Sequence, residues 1–503
     1  SDPMAQRFFD QALTLSYGFN HAEAERSFRE AARLDPSCAM CWWGAALVLG
    51  PNINLAMDPA SVPKAWEALQ KARELAPGAS EKDQAYIEAL SARYSAEPVE
   101  DRKPLDEAYA EAMRDLARRY PGDVDAQVLT AEALMDLHPW DFWTRDGQPR
   151  EWTPEILGIL EAAMKADPDH PGANHLYIHA VEASKQPGRA LDAAGRLANL
   201  VPGAGHLVHM PSHIYIRTGR YQEAVEANER AVASDDEYVT QCHAQGLYPL
   251  GYIPHNHHFL WVSATLAGEG AEAIATAEEL ARRIDTQKMR EEGLGTLQHY
   301  WTSPLWAYVR FGKWDKIAAF PEPDADLIYP RGVWSWAHGM AMTATGQLDE
   351  AAKDLDALRK HAADPALAKV TIWDINKTSD LLAIAVEVLS GEMAEKKGDL
   401  DGAIAHLTKG VELEDALRYD EPPPWSNPVR HNLGAALLKA GRAAEAEKVY
   451  RADLETFPEN GWSLFGLEAS LRAQGKTMEA DAVKARFDAA WAHADTRLTA
   501  SVI

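Results

Sequence analysis

A short phrase that recurs along this chain constrains its fold more than any other feature. Each copy has a Gly, a short gap and then a Glu-Ala or similar pair. The copies occupy residues 219–235, 268–283, 346–362, 398–415 and 441–458. A small Ala lets two helices approach closely, and a Gly lets the chain turn between them. Because nearly every segment also has helical periodicity, the sequence predicts an all-α fold of repeated hairpins.

One copy carries a family pattern clearly. Residues 428–460 read PVRHNLGAALLKAGRAAEAEKVYRADLETFPEN. The positions that match are Leu433, Gly434, Gly441, Ala446 and Pro458. The segment resembles the tetratricopeptide repeat, a helix–turn–helix unit of about 34 residues. The resemblance extends over nearly the whole chain. It implies a right-handed superhelical solenoid of about eleven or twelve hairpins, with inserted loops and a concave groove that mostly binds peptides or partner proteins.

We expect one continuous array over residues 1–503, with three parts. Residues 1–168 form the N-terminal repeats, residues 169–312 the histidine-rich central repeats, and residues 313–503 the C-terminal repeats. Long connections interrupt the array at 50–63, 138–154 and 234–254. Long loops in a compact array tend to be functional. Since the last two are rich in Trp and Tyr, we expect loops that close over the groove.

The charge and the cysteine content restrict the partners and the compartment. The formal net charge is −26, and so acidic a surface repels phosphates, which predicts that neither nucleic acid nor an anionic membrane is a partner. No apolar stretch reaches about 18 residues, so no membrane insertion is expected. Cys38 and Cys41 form one CxxC that is open to a disulfide, a thiol pair or a ligand role. The chain is expected to be soluble, and periplasmic or secreted and cytoplasmic locations stay open because an export signal can have been removed before Ser-Asp-Pro-Met.

The second informative feature is a concentration of histidine in the central repeats. Ten of the 18 His lie between His170 and His258. His175 and His179 recur 34 residues later as His209 and His213. Side chains three, four and seven residues apart share one face of a helix. Three neighbouring helices thus offer one surface the predicted metal ligands, which are His175, His179, Glu182, His206, His209, His213, His255 and His258.

The register of the resemblance implies that these side chains line the concave groove. The same register implies substrate-binding positions for Arg217, His299 and Trp301, near the groove. Pro211 falls inside a predicted first helix, where proline kinks or breaks the helix. His206 and His209 therefore lie either on a bent helix or on the segment that enters it.

Imidazole-rich sites suit copper, zinc, iron and nickel, and this set, poor in carboxylate, favours copper over zinc or iron. Seven imidazoles exceed the needs of one ion, so two ions are possible by count. The predicted function is a metal-dependent oxidoreductase that acts on a small molecule or peptide in the groove. The alternatives are a non-catalytic scaffold that binds a peptide, a partner protein or metal, and a zinc-dependent hydrolase.

Overall fold

The computed structural model describes residues 2–242 and 248–503. Helices dominate this part of the chain, so the predicted all-α fold of helical hairpins is confirmed. The strands among the described residues are β1, Thr371–Ile372, and β2, Asn376–Lys377, which pair antiparallel as a small hairpin. Residues 243–247, within the connection predicted at 234–254, lie outside the described residues.

The chain divides into two compact units. Unit 1 comprises Ser1–Ile214 and Arg230–Ile253, and unit 2 comprises Tyr215–Glu229 and Pro254–Ile503. The predicted boundaries at residues 168 and 312 stay predictions.

The helices that begin in the first stretch of unit 1 run from α1 to α12. They are α1 Pro3–Tyr17, α2 His21–Leu34, α3 Ala39–Leu47, α4 Val62–Leu75, α5 Glu81–Ser91, α6 Lys103–Arg119, α7 Val124–Asp136, α8 Thr153–Ala166, α9 Pro171–Glu182, α10 Leu191–Leu200, α11 Gly205–His209 and α12 Pro211–Arg217. From α1 to α11 each helix packs on the next, and α1 also packs on α9.

The remaining helices follow in chain order. They are α13 Tyr221–Cys242, α14 Tyr252–Ala267, α15 Gly270–Arg283, α16 Gly295–Trp301, α17 Ser303–Arg310, α18 Trp314–Ala319, α19 Ile328–Ala344, α20 Leu348–Ala362, α21 Thr378–Lys396, α22 Leu400–Glu414, α23 Val429–Lys439, α24 Ala443–Thr456, α25 Gly461–Ala473 and α26 Thr477–Ala490. From α19 to α26 each helix packs on the next. Among the described helices, none combines the length and the apolar character that a membrane crossing requires.

The glycines of the recurring phrase make the predicted turns. Gly398 has φ 83° before α22, and Gly441 has φ 73° before α24. This left-handed conformation is strained for residues that carry a Cβ, so glycine fixes where one helix ends and the next begins. The repeated phrase and the hairpin turns thus have the same physical cause.

His170 and Pro171 set the start of α9, the first helix of the histidine-rich central repeats, and Pro211 breaks the next helix that carries histidines. The Nδ1 atom of His170 accepts the Ala173 amide at 3.2 Å, and Pro171 is the first residue of α9. Proline suits that position because the first amide of a helix has no intrahelical partner. Pro211 separates α11 from α12, so the helix predicted there is broken, with His206 and His209 before the break and His213 after it.

Candidate metal centre

Five imidazoles of unit 1 come together in a buried cluster, which we call the histidine cluster. His175 and His179 lie on α9, and the others lie on α11 and α12; the members are His175, His179, His206, His209 and His213. None of the five is more than 2% exposed. Ligand atoms of His175, His179 and His206 all lie within 4.8 Å of one another. The same limit holds for His179, Glu182 and His213.

Glu182 orients two members of the cluster. Its Oε1 lies 2.8 Å from His179 Nδ1, and its Oε2 lies 2.5 Å from His213 Nδ1. Burial would raise the pKa of this carboxyl group, but His213 and the hydrogen bonds from His179 and His213 lower the pKa to about 2. An ionised carboxylate only accepts hydrogen bonds, so both Nδ1 atoms carry the proton. In a neutral ring, Nε2 then holds the lone pair that a metal needs.

His175 is oriented in the same way by the backbone. Its Nδ1 donates to the carbonyl oxygen of Tyr17 at 2.5 Å, which leaves the lone pair on Nε2. The Nε2 atoms of His175 and His179 are buried and have no hydrogen-bond partner among the described residues. Burial lowers the pKa of both rings, and the proximity of His179 lowers that of His175 further. The neutral, ligating form of both rings is therefore favoured.

The other two rings form a proton chain. His209 Nε2 lies 2.9 Å from His213 Nε2, and the Ser212 hydroxyl lies 3.2 Å from His209 Nδ1. A neutral His213 ring would accept at Nε2 from His209 Nε2–H, and His209 Nδ1 would then accept from the Ser212 hydroxyl. If the His209 proton moved from Nε2 to Nδ1, Nε2 would hold a lone pair instead. Ser212 can accept from that ring as readily as it can donate to it.

Two aromatic rings cover the cluster, and both are held by unusual backbone. Phe19 has φ 57° and Trp140 has φ 60°, a left-handed conformation that few aromatic residues adopt. The Phe19 ring lies 4.6 Å from the His175 ring, and the Trp140 ring lies 5.2 Å from the His179 ring, centroid to centroid. Strain of this kind persists where the surrounding structure requires it, often at functional sites.

The backbone of His206 is held by Tyr248 and Asp235. Its amide donates to the Tyr248 hydroxyl at 3.0 Å, and that hydroxyl donates to Asp235 Oδ1 at 2.9 Å. A Cβ atom on Gly205 would lie 2.0 Å from the same Asp235 oxygen, so a larger residue there would have to displace the Asp235 side chain. The Tyr252 ring lies 4.7 Å from the His206 ring. The start of α11 is thereby fixed beside α9.

His255 and His258 lie on α14 in unit 2. His255 is half-buried beside Phe259, with ring centroids 5.0 Å apart. His258 is buried, and its ring lies 5.0 Å from the ring of Tyr300 and 5.4 Å from that of His299. Their membership of one centre with the histidines of unit 1 stays a prediction.

The predicted substrate-binding residues also belong to unit 2. Arg217 Nε lies 3.9 Å from Glu421 Oε1, and its guanidinium lies over the Tyr419 ring. His299 Nδ1 lies 2.8 Å from the Tyr329 hydroxyl. The role of these two residues stays a prediction.

Trp301, the third predicted substrate-binding residue, is half-buried and lies edge-on to Phe320, with ring centroids 5.7 Å apart. Its role likewise stays a prediction.

Sequence reasoning missed Tyr17, the last residue of α1, and Phe19, in the turn that follows; both reach the cluster. They precede His175 by more than 150 residues, so no local spacing connects them. Trp140 had a usable signal, because it lies in the aromatic connection at 138–154 that was expected to cover the groove. Trp143 of the same connection donates from Nε1 to the Ala180 carbonyl at 2.8 Å, which ties it to α9.

Comparison with known proteins identifies the kind of repeat. The family model described as tetratricopeptide repeat matches residues 209–238. That match supports the predicted resemblance to the tetratricopeptide repeat at these residues, and the helical hairpins confirm the predicted all-α repeat fold. A search of curated protein sequences finds no match.

Several solved structures are similar at low identity. The human IFIT1 dimer with m7Gppp-AAAA is 14% identical, and the match covers 97% of this chain and 94% of that chain at a TM-score of 0.34. The human IFIT1 dimer with PPP-AAAA gives the same values. Naa15/Naa10 bound to HypK-THB is 13% identical over 97% of this chain and 70% of that chain, at a TM-score of 0.23. Likeness at this level gives no function to this chain.

One prediction about partners is wrong. The net charge of −26 was taken to exclude nucleic acid, yet similar solved structures hold m7Gppp-AAAA and PPP-AAAA, which are capped and triphosphate RNA. A net charge is a sum over the whole surface, whereas binding depends on the local potential of one groove. Nucleic acid is therefore no longer excluded, and the similarity assigns no partner.

Proposed function

We propose that the histidine cluster of unit 1 is a transition-metal centre that serves oxidation chemistry. One observation carries the proposal: His175 and His179 are buried, with ligand atoms within 4.8 Å of each other and of His206, and their Nδ1 atoms are held by Tyr17 and Glu182, which leaves Nε2 for a ligand. Metal-binding histidines typically donate the distal ring nitrogen to a carboxylate or a backbone carbonyl. The cluster has both kinds of partner.

The energetics favour a ligand over a plain hydrogen-bond network. A buried polar atom with no partner costs about 1–3 kcal/mol, and native proteins hold few of them. His175 and His179 each bury such an Nε2 atom within the described residues. Ligand atoms of these two residues and of His206 lie within 4.8 Å of one another. A bound metal would compensate for both at once.

The donor set favours copper. Neutral imidazole suits copper, zinc and iron, and copper binds such sites most tightly among the divalent first-row metals. Glu182, a predicted ligand, has both oxygens engaged by histidine Nδ1 atoms, so its principal role is to orient the rings. His209 and His213 offer a second pair of Nε2 atoms for another ion once one proton has crossed the His209 ring.

The burial of the centre restricts the substrate. The ligating side chains are at most 2% exposed, and the rings of Phe19 and Trp140 cover them. Such an enclosed centre suits dioxygen and other small molecules. A larger substrate would need the rings of Phe19 and Trp140 to move. We therefore propose oxidation of a small molecule, with the copper or iron centre supplying the electron transfer.

The test is the metal content of full-length protein purified without a histidine tag. We expect about one to two copper ions for each chain, and the loss of at least one in a His175→Ala/His179→Ala variant. His493→Ala is the matched control, because that histidine is exposed. Metal at trace level after exposure to copper, zinc and iron in turn would overturn the proposal. Equal metal content in the double variant and the control would also overturn it.

A second measurement separates the chemistry from the binding. The copper-loaded protein should consume dioxygen with an added reductant faster than the double variant does. A centre that retains only zinc, and that hydrolyses model esters instead, would contradict the oxidoreductase proposal and favour the hydrolase.

A further inference from the structure

A disulfide and a cavity occur together in unit 1, away from the residues of the histidine cluster. Cys38 and Cys41 are joined by a disulfide at the start of α3. A cavity of about 470 Å³ borders both residues. Exposed disulfides are more readily reduced than buried structural ones, and this one borders a cavity. The CxxC motif, which the sequence left open, is therefore oxidised and accessible from a cavity.

The two cysteines differ in the way that an exchange reaction requires. Cys38 is half-buried, while Cys41 is only 1% exposed and packs with Ala31 and Ala32. Cys38 is therefore the more accessible of the two residues to an incoming thiol. Attack on the accessible sulfur determines which mixed disulfide forms.

The start of α3 stabilises a thiolate at Cys38. The backbone N–H of Cys41 donates to Cys38 Sγ at 3.1 Å, so Cys38 caps the helix. The helix is nine residues long, and the partial positive charge at its N-terminus favours an anion there. Cysteines at helix N-termini leave and attack as thiolates.

The residues that line the cavity favour a cationic partner over an anionic one. Among the described residues that border it are four aspartates and one lysine, Lys82. The carboxylates belong to Asp35, Asp83, Asp123 and Asp125. The Lys82 ammonium is already engaged, because its Nζ lies 2.7 Å from Asp123 Oδ2. The rings of Phe9, Trp43 and Tyr86 supply the apolar part of the wall. Such a wall attracts a cation and repels an anion.

We propose that the Cys38–Cys41 disulfide is a thiol–disulfide exchange site whose thiol partner is cationic. A thiolate of the partner attacks Cys38 Sγ, the bond between the two cysteine sulfurs breaks, and Cys41 leaves as a thiolate that takes a proton from water. A second thiolate of the partner then attacks the partner's own sulfur in the mixed disulfide. Cys38 leaves as a thiolate, the two cysteines are reduced, and the two partner thiols are oxidised to a disulfide.

The first experiment measures how fast three small thiols reduce the native, full-length protein. Cysteamine is cationic, 2-mercaptoethanol is neutral and 3-mercaptopropionate is anionic. Each rate is expressed for the thiolate form and divided by the rate with a small uncharged reference disulfide. We expect the cationic thiol to exceed the anionic one at least tenfold at low salt, and the ratio to approach one in 1 M NaCl, because salt screens the carboxylates.

Two variants test the charge of the wall. Asp83→Asn should lower the ratio of cationic to anionic rates several-fold, because Asp83 borders the cavity. Asp58→Asn, an exposed aspartate outside the cavity, should leave that ratio unchanged. Equal normalised rates for all three thiols would overturn the proposal, as would a disulfide that none of them reduces while the protein stays folded.

Trapping tests the assignment of the attacked sulfur. With cystamine, a Cys41→Ser variant should form a mixed disulfide at Cys38, detected by intact mass. A Cys38→Ser variant should not react at the buried Cys41. Circular dichroism checks that both variants fold, and the reduction rates on the unmutated protein test the proposal independently of them. The reverse pattern, with Cys41 trapped and Cys38 inert, would overturn it.

Discussion

Glu182 is the residue on which the orientation of the histidine cluster depends most. It accepts from two rings with one carboxylate, and such outer partners change metal affinity by roughly 10–100-fold when they are removed. We therefore predict that Glu182→Gln lowers metal affinity by about that factor. An amide has one acceptor oxygen, so it cannot hold both Nδ1–H groups. Competition with a chelator measures the affinity.

Glu161→Gln is the matched control for that experiment. Glu161 lies on α8 and pairs with Arg189 at the surface, with 45% of its side chain exposed. It should leave metal affinity unchanged. An equal loss of affinity in both variants would mean that Glu182 acts only through general stability.

His299 gives a prediction about pH in unit 2. Burial lowers the pKa of His299 to about 3, against about 6.5 in an unfolded chain. Between these values the unfolded chain binds a proton that the folded chain does not, so stability falls as the pH falls from 6.5 towards 3. The slope is about 1.4 kcal/mol for each pH unit. Above pH 6.5 this residue contributes no pH dependence.

We therefore expect His299→Gln to reduce the loss of stability between pH 7 and pH 5 by about 2 kcal/mol. The measurement is the free energy of unfolding of unit 2, obtained from urea titrations at both pH values. His493→Gln is the control, because that imidazole is exposed and should not alter the pH dependence. An unchanged pH dependence in His299→Gln would show that His299 titrates normally in the folded chain.

At the scale of elements, the turn between α1 and α2 is the clearest case of local strain. Phe19 has φ 57° there, and a left-handed conformation costs a residue with a Cβ about 1–2 kcal/mol. Phe19→Gly and Phe19→Ala both remove the ring, but only Gly removes the strain. We predict that the Gly variant is more stable than the Ala variant by about 1 kcal/mol, as measured by urea unfolding.

A control at Phe28 should show the opposite order of stability for the Gly and Ala variants. Phe28 is buried within α2, where glycine is less favourable than alanine by about 1 kcal/mol. Phe28→Gly should therefore be less stable than Phe28→Ala. The same order at both positions would refute the claim that the turn holds Phe19 under strain.

The elements of the site differ in how far the sequence predicted them. The spacing of His175 and His179 on one helix correctly placed them on one face, because α9 is regular. The position of Pro211 indicated a bend or a break, and the structure has a break between α11 and α12. Spacing could not reveal which ring nitrogens the Glu182 oxygens meet, because that depends on how α9 and α12 pack. The role of Glu182 as a metal ligand stays a prediction.

At the scale of the whole molecule, the repeat pattern predicted the class of fold because each hairpin depends mainly on local residues. The contact of Tyr17 and Phe19 with α9 was not predictable from the sequence. It joins residues more than 150 positions apart, so it depends on how the intervening helices stack. The exclusion of nucleic acid failed for a related reason. A property summed over 503 residues does not fix the chemistry of one surface.

Metal binding should also stabilise the molecule as a whole. A ligand that binds only the folded state, at a thousand times its dissociation constant, adds about 4 kcal/mol. We expect removal of metal by a chelator to lower the thermal transition of unit 1 by about 10 °C. The His175→Ala/His179→Ala variant should show no response to the chelator. A transition that falls equally in this variant would mean that the chelator acts elsewhere.

The central claim is that the histidine cluster binds a transition metal through Nε2 atoms. The most direct measurement is an anomalous difference map at the copper absorption edge, from crystals of copper-loaded protein. We predict a peak about 2 Å from the Nε2 atoms of His175 and His179, the usual length of a bond between imidazole and a metal. Strong copper peaks that lie elsewhere in the molecule, with none at this cluster, would contradict the account.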